Sequence, residues 1–290
     1  MEDTIKIKLQ EHSRRIEVLL DNLLSHESSR PKQLLSAMRY AILNGGKKLR
    51  SFLVVECSSL FGCYHPIALR IGAAIECVHC YSLIHDDLPA MDNGRIRRGK
   101  PTVHLQYDES TAILAGNSLL TYAFEIIFSP EFQLDNKIRS ELALSLARNS
   151  GLIGMLGGQM LDIQDEPLDE NNPFIVQQMK TGALMGFSCA AGAIISQEDQ
   201  EHRERLDCFG QNLGIIFQLV DDLLDLEDPH KTDKHSINNS TTKKNSFITL
   251  KGREWVQQEI DKRIEKTLKL LDNYRTKARS LRDIVHLFSS

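Results

Sequence analysis

In Ile260-Asp261-Lys262-Arg263-Ile264-Glu265-Lys266-Thr267-Leu268-Lys269-Leu270-Leu271, apolar side chains at 260, 264, 268 and 271 recur at steps of four, four and three, with charges between them. Those steps put them on one face of an α-helix, whereas a strand would need simple alternation. Working outward, similar stripes run over about residues 5–24, 33–44, 66–88, 109–128, 137–163, 173–195 and 199–227. Strand signals are nearly lacking: there is no clear alternation, no Asn-Gly between apolar runs, and little clustering of Val, Ile and Thr. An all-α bundle of roughly eight to ten helices is expected. Ser29-Arg30-Pro31, Asn44-Gly45-Gly46, Asp92-Asn93-Gly94, Asn171-Asn172-Pro173 and Asp228-Pro229 supply the breaks. The polar run 229–245 reads as a surface loop rather than a linker, so residues 1–290 are expected to form one domain.

Composition narrows the function. With 41% apolar and 26% charged residues over 290 positions, the chain can bury a large core and is not of the disordered class. Lys plus Arg total 35 against 39 Asp plus Glu, which offers no general attraction for nucleic acid. No unbroken apolar run reaches the ~20 residues of a membrane span. The longest small and apolar stretch, 182–195, reads as a buried helix. The segment 1–11 lacks the apolar core and cleavage site of a secretion signal, so a cytoplasmic location is expected. The six cysteines then default to reduced thiols. Cys77 and Cys80 flank His79, but no second pair follows at zinc-finger spacing.

Two acidic clusters carry the chemistry: His85-Asp86-Asp87-Leu88-Pro89-Ala90-Met91-Asp92 and Phe217-Gln218-Leu219-Val220-Asp221-Asp222-Leu223-Leu224-Asp225. In the second, Asp221 and Asp225 lie four apart on one helical face, with Gln218 a turn earlier. Stacked like charges repel, and carboxylates beside Leu219, Val220, Leu223 and Leu224, or beside Tyr81, Leu83, Ile84 and Leu88, are expensive unless a cation joins them. Oxygen-only donors with no Cys and His set favour Mg²⁺, which binds one or two carboxylates together with phosphate oxygens and water. A phosphorylated substrate follows. Three turn-associated basic stretches could receive it: Gly45-Gly46-Lys47-Lys48-Leu49-Arg50, Arg97-Arg98-Gly99-Lys100 and Lys180-Thr181-Gly182. His79, seven residues before Asp86, shares nearly the same helical face.

With these residues assembled, the sequence resembles the trans-isoprenyl diphosphate synthases, most closely the bacterial farnesyl diphosphate synthases, over about residues 37–228. Residues 45–50, 81–92, 97–99, 157–162 (Gly-Gly-Gln-Met-Leu-Asp), 180–184 (Lys-Thr-Gly-Ala-Leu) and 217–225 resemble the family's motifs in order. The resemblance implies an isoprenoid-synthase bundle with a central cavity, usually a homodimer. It implies that Asp86, Asp87, Asp92, Asp221, Asp222 and Asp225 hold about three Mg²⁺ ions on an allylic diphosphate. Arg97, Lys180, Gln218, Lys234 and Lys244 would contact that diphosphate, and Lys47, Arg50, His79 and Arg98 would bind isopentenyl diphosphate without metal. Thr181, Gln218 and the Lys180 carbonyl would face the carbocation formed on ionisation.

By the same resemblance, Tyr81 and Ser82 set product length, and Leu88-Pro89 is the insertion typical of bacterial farnesyl synthases. Pro89 should also distort its segment so that Asp92 can rejoin Asp86. The expected activity is Mg²⁺-assisted condensation of isopentenyl diphosphate with dimethylallyl or geranyl diphosphate to farnesyl diphosphate. The alternatives are a geranylgeranyl or geranyl diphosphate synthase, or a non-catalytic partner subunit, which would have lost aspartates that this chain keeps. A terpene cyclase needs no second diphosphate pocket, and a hydrolase with a metal-binding His85-Asp86 pair lacks its supporting His residues. Ser51 stands where Pro usually follows the motif's Arg, and Asn93 replaces another Asp.

Overall fold

A computed structural model of the chain describes residues 2–25, 31–63, 65–131, 133–164, 172–227 and 247–288. Lys234 and Lys244 lie outside the described residues. The elements in order are α1 (Glu2–Ser25), α2 (Lys32–Ile42), α3 (Leu49–Ser59), α4 (His65–Asp86), β1 (Ile96–Arg97), β2 (Lys100–Pro101), α5 (Val103–Gln106), α6 (Glu109–Phe128), α7 (Asn136–Ser150), α8 (Met155–Gln164), α9 (Asn172–Gln177), a π turn (Gln178–Gly182), α10 (Ala183–Ile195), α11 (Gln200–Glu227), α12 (Phe247–Lys251), α13 (Arg253–Lys269), a 3-10 segment (Asp272–Ala278) and α14 (Arg279–His286).

The bundle is organised around α10, in which every residue from Ala183 to Ile195 is buried. A helix apolar on all sides has no face to offer water, so it must be wrapped by others. Two cores meet on it. One joins α1, α2, α4, α6 and α7 through Leu20, Met38, Ile75, Leu119 and Leu142. The other joins α3, α11, α13 and α14 through Phe52, Phe209, Ile260 and Ile284. Val256, Ile260 and Ile264 form the buried side of α13, as their spacing requires, and Leu271 is buried just beyond its end.

Two of the wrapping helices, Pro66–Asp86 and Glu109–Phe128, are long and apolar enough to cross a membrane by length and composition. The test of an unbroken apolar run overlooked them because polar residues punctuate both. Here they pack on each other, with Ile71, Ile75 and Val78 of α4 and Ala112, Ala115 and Leu119 of α6 in the same core. Helix α6 begins at a cap in which the Asp108 carboxylate accepts the Thr111 amide at 2.7 Å.

Three local features differ from the helical stripes read in the sequence. The stripe at 137–163 divides into α7 and α8, because the chain turns through Gly151 and Gly154, whose amides bond to the Ala147 and Gly151 carbonyls. A short antiparallel hairpin pairs Ile96 with Pro101 and Arg97 with Lys100. Its two turn residues, Arg98 and Gly99, both have positive φ, 52° and 74°, as a primed two-residue turn requires. The last turn before α10 widens to π geometry over Gln178–Gly182.

Candidate active site

Helix α4 stops at Asp86, and the chain coils back on itself. Pro89 has no N–H and cannot extend a helix. The Met91 amide bonds to the Leu88 carbonyl at 2.9 Å, and the Asp92 amide returns to the Asp86 carbonyl at 2.8 Å. Asp92 is thus brought back beside Asp86. Burial, with Asp92 and Asp87 adding like charge, pushes the Asp86 carboxyl up to about 6 against the pull of Lys180 and Arg97. Gln159 of α8 donates to Asp86 Oδ1 at 3.0 Å. Asp87 is buried, and Arg97 clamps both its oxygens, Nε at 2.6 Å and Nη2 at 2.8 Å. Gly94 lies so close that a Cβ there would sit 2.5 Å from Asp87 Oδ1.

The second cluster sits on α11. Gln218 donates to Asp222 Oδ1 at 3.0 Å, Asp222 is buried, and Asp221 is half-buried. The backbone of Asp225 continues the same helix. The π turn packs between α8 and α11 and is held by backbone-to-backbone contacts. A Cβ on Gly158 of α8 would fall 2.3 Å from the Lys180 nitrogen, and one on Gly214 of α11 would fall 3.0 Å from Gly182 Cα. Gly214, Gln218 and Asp222 follow at steps of four on one face of α11. Lys180 Nζ bonds to Asp162 Oδ2 at 2.6 Å. Among the described residues, no three His, Cys, Asp or Glu side chains form a metal cage by themselves. The donors that Asp86, Asp92, Asp221 and Asp222 offer are all carboxylate oxygens, and such donors fit Mg²⁺, an ion satisfied by one or two carboxylates when phosphate oxygens complete its shell.

Arg50, Arg98 and Lys48 converge on His79, together with Arg97 of the clamp. Arg98 Nη1 donates to the Gly45 carbonyl at 2.7 Å, and its guanidinium lies where a Cβ on Gly46 would be, 2.4 Å from Cζ. Gly46, at φ 96°, must therefore be glycine for the two motifs to dock. Lys47 is exposed, while Lys48 is buried in a left-handed conformation with Nζ on the Ile42 carbonyl at 2.7 Å. Arg50 Nε is enclosed with no hydrogen-bond partner, and burial pulls the Arg50 guanidinium below its ordinary value. Burial, then the charges of Arg50, Arg98, Lys48 and Arg97, hold His79 well below the usual histidine range. Tyr81, buried on α4, stacks edge-on against His85 with centroids 5.8 Å apart. Ser82 Oγ donates to the His79 carbonyl.

Three residues at this site were given no role from the sequence. Gln159 and Asp162 stood inside a quoted motif, but nothing in their spacing revealed their partners 73 and 18 positions away. Glu76 carried a visible signal, as the only acid between Pro66 and His85.

The fold is that of the isoprenyl synthases. An apo structure titled as a farnesyl/geranylfarnesyl (FPP/GFPP) synthase from Zymomonas mobilis superposes with a TM-score of 0.89 at 36% identity, covering all of both chains. The chain belongs to the polyprenyl synthetase family, whose family model matches residues 31–287. It is 36% identical over 249 residues to farnesyl diphosphate synthase of Bacillus subtilis, covering 83% of each chain. It is 40% identical over 225 residues to farnesyl diphosphate synthase of Haemophilus influenzae, covering 76% of each.

Proposed function

We propose that the protein is a prenyltransferase, a single catalytic domain that condenses isopentenyl diphosphate with dimethylallyl and then geranyl diphosphate to give farnesyl diphosphate. The observation that carries this reading is that Asp92 and Asp87 crowd Asp86 while Arg50, Arg98 and Lys48 converge on His79, with Arg97, paired to Asp87, next to both groups. Two anionic groups then have separate homes.

Asp86 at the end of α4 and Asp92 in the coil beyond it, with Asp221, Asp222 and Asp225 from α11, would hold Mg²⁺ on the allylic diphosphate. Bound Mg²⁺ supplies positive charge that stabilises the leaving diphosphate. Asp87 keeps Arg97 aimed at the same cleft. Lys180, bonded to Asp162 at the rim of the cleft, would turn to the diphosphate. Breaking the C1–O bond leaves an allylic cation. The Lys180 carbonyl and Thr181 Oγ1, carried by the π turn, and Gln218 Oε1, on a side chain whose Nε2 is held by Asp222, would direct the negative ends of their dipoles at it. The double bond of isopentenyl diphosphate, held at its diphosphate by Lys47, Arg50, His79 and Arg98, attacks C1. A proton then leaves C2 of the isopentenyl unit to the released diphosphate.

Tyr81, with Ser82 beside it, forms the floor that stops elongation at farnesyl length. The reading includes a cytoplasmic location and a homodimer; exposed Leu114, Leu144, Leu152 and Ile153 on and between α6, α7 and α8 are suited to a second copy. Incubation with isopentenyl and dimethylallyl diphosphates, followed by chromatography of the dephosphorylated products, is expected to give farnesol only when Mg²⁺ is present. Product formation in EDTA overturns the reading, and a geranylgeraniol peak corrects its product length.

A further inference from the structure

Glu76 is a carboxylate only 4% exposed in the middle of α4. Such a group costs several kcal/mol unless hydrogen bonds and opposite charge compensate it. The Ser51 amide donates to Glu76 Oε1 at 3.1 Å. Ser51 is the third residue of α3, and the first-turn amides of a helix have no carbonyl partner inside it. The residue that would ordinarily cap α3 is Lys48, which is left-handed and makes no side-chain cap. Glu76 therefore caps α3 from a neighbouring helix, where a negative charge also suits the helix dipole.

The cap is rigid. Ser51 Oγ donates to the Lys48 carbonyl at 2.8 Å and pairs with His12 Nε2 at 2.9 Å. Gly72 of α4 brings its backbone so close that a Cβ there would sit 2.8 Å from Ser51 Cβ. The first turn of α3 cannot slide along α4. That turn carries Arg50, whose charge Glu76 favours and Arg98 opposes. A proline at position 51 would have no N–H to give, so this contact needs a residue other than proline there, as Ser51 is.

We propose that Glu76 is a positioning residue for the isopentenyl diphosphate pocket: by capping the first turn of α3, which carries Arg50, it holds Arg50 toward the incoming diphosphate without touching it. This deepens, and rests on, the assignment of Arg50 to that pocket.

Steady-state kinetics on Glu76→Gln, Glu76→Asp, Arg50→Lys and the Glu76→Gln/Arg50→Lys double variant test the proposal. Glu76→Gln keeps the acceptor for the Ser51 amide and removes the charge. It is expected to raise KM for isopentenyl diphosphate about tenfold, the scale of one charged hydrogen bond, with KM for dimethylallyl diphosphate and kcat within about threefold. Glu76→Asp restores the charge and is expected to fall between wild type and Glu76→Gln. The double variant is expected to be no worse than Arg50→Lys alone, since the two residues act as one. A flat KM for isopentenyl diphosphate, a parallel rise for both substrates, or additive effects overturn the proposal. If Glu76→Gln does not fold, Glu76→Asp decides it by the same split between substrates. If Arg50→Lys itself leaves KM for isopentenyl diphosphate unchanged, the pocket assignment falls, and the role of Glu76 with it.

Discussion

Replacing Asp86 by Asn in the metal-free protein is expected to raise its stability. The Asp86 carboxyl titrates at about 6 in the fold, against 3.8 for an ordinary Asp, because it is buried beside Asp92 and Asp87. A carboxyl raised in this way is most favourable to the fold below its unfolded value, and that advantage is lost as pH rises through about 6. The difference of about two pH units corresponds to roughly 3 kcal/mol at pH 7.5, and to about half of that at pH 5. Asn keeps the oxygen that accepts from Gln159 and carries no charge to desolvate. With an unfolding entropy of roughly 0.6 kcal/mol/K for a chain of this size, the variant should melt on the order of 5 °C above wild type at pH 7.5. The gap should narrow toward pH 4. The assay is thermal unfolding in EDTA across that range, repeated with Mg²⁺ and inorganic pyrophosphate, which should stabilise wild type more than the variant. A variant that melts at or below wild type at pH 7.5, with a gap independent of pH, refutes the reasoning.

Tyr81→Ala removes the proposed floor beneath the growing chain and is expected to shift products beyond farnesyl length; an unchanged chromatogram refutes the floor. His79 is held below its ordinary value by burial and by Arg50, Arg98, Lys48 and Arg97, so it takes a proton less readily in the fold than in the unfolded chain. Stability should therefore fall as pH drops below about 6.5, and inorganic pyrophosphate, by offsetting those cations, should shrink the fall. Equal slopes with and without pyrophosphate would count against this. Gly158→Ala forces a methyl to within 2.3 Å of the Lys180 nitrogen, so the π turn must move by about 1 Å. That displacement should lower kcat about a hundredfold while KM for isopentenyl diphosphate holds, and an unaltered kcat would remove the π turn from the catalytic argument.

The helices were legible because amphipathic and fully apolar segments leave periodic traces in one dimension. Ile260 and Ile264 face the core as their spacing required, and the run 182–195 proved to be the buried centre. The return of Asp92 to Asp86 was legible too, since a proline two residues after Asp87 allows little else. What could not be read depends on distant partners or on very short elements. The hairpin has two residues per strand, too few to alternate, and its Arg98-Gly99 turn is not the Asn-Gly that marks such turns most clearly. The Asp87–Arg97 pair was obscured because an acid in a run of acids looks like its neighbours. Lys47 and Lys48 were indistinguishable as letters, yet one is exposed and the other buried against the Ile42 carbonyl, because the left-handed residue 48 turns the chain inward.

The π turn at Gln178–Gly182 has a consequence for where this architecture tolerates change in chain length. One additional residue in a turn rotates everything downstream by about 100°. In α13, whose contact with the core is a single seam, such a rotation would swing Ile260 and Ile264 into water. In α10 the same rotation would carry side chains into the places where only glycine fits: a Cβ on Gly186 would lie 2.5 Å from Asp207 Oδ1, and one on Gly192 would lie 2.6 Å from Cys57 Cβ. The widened turn therefore takes up its extra residue before α10 begins, and single-residue insertions or deletions inside α10 should be as ruinous as in α13.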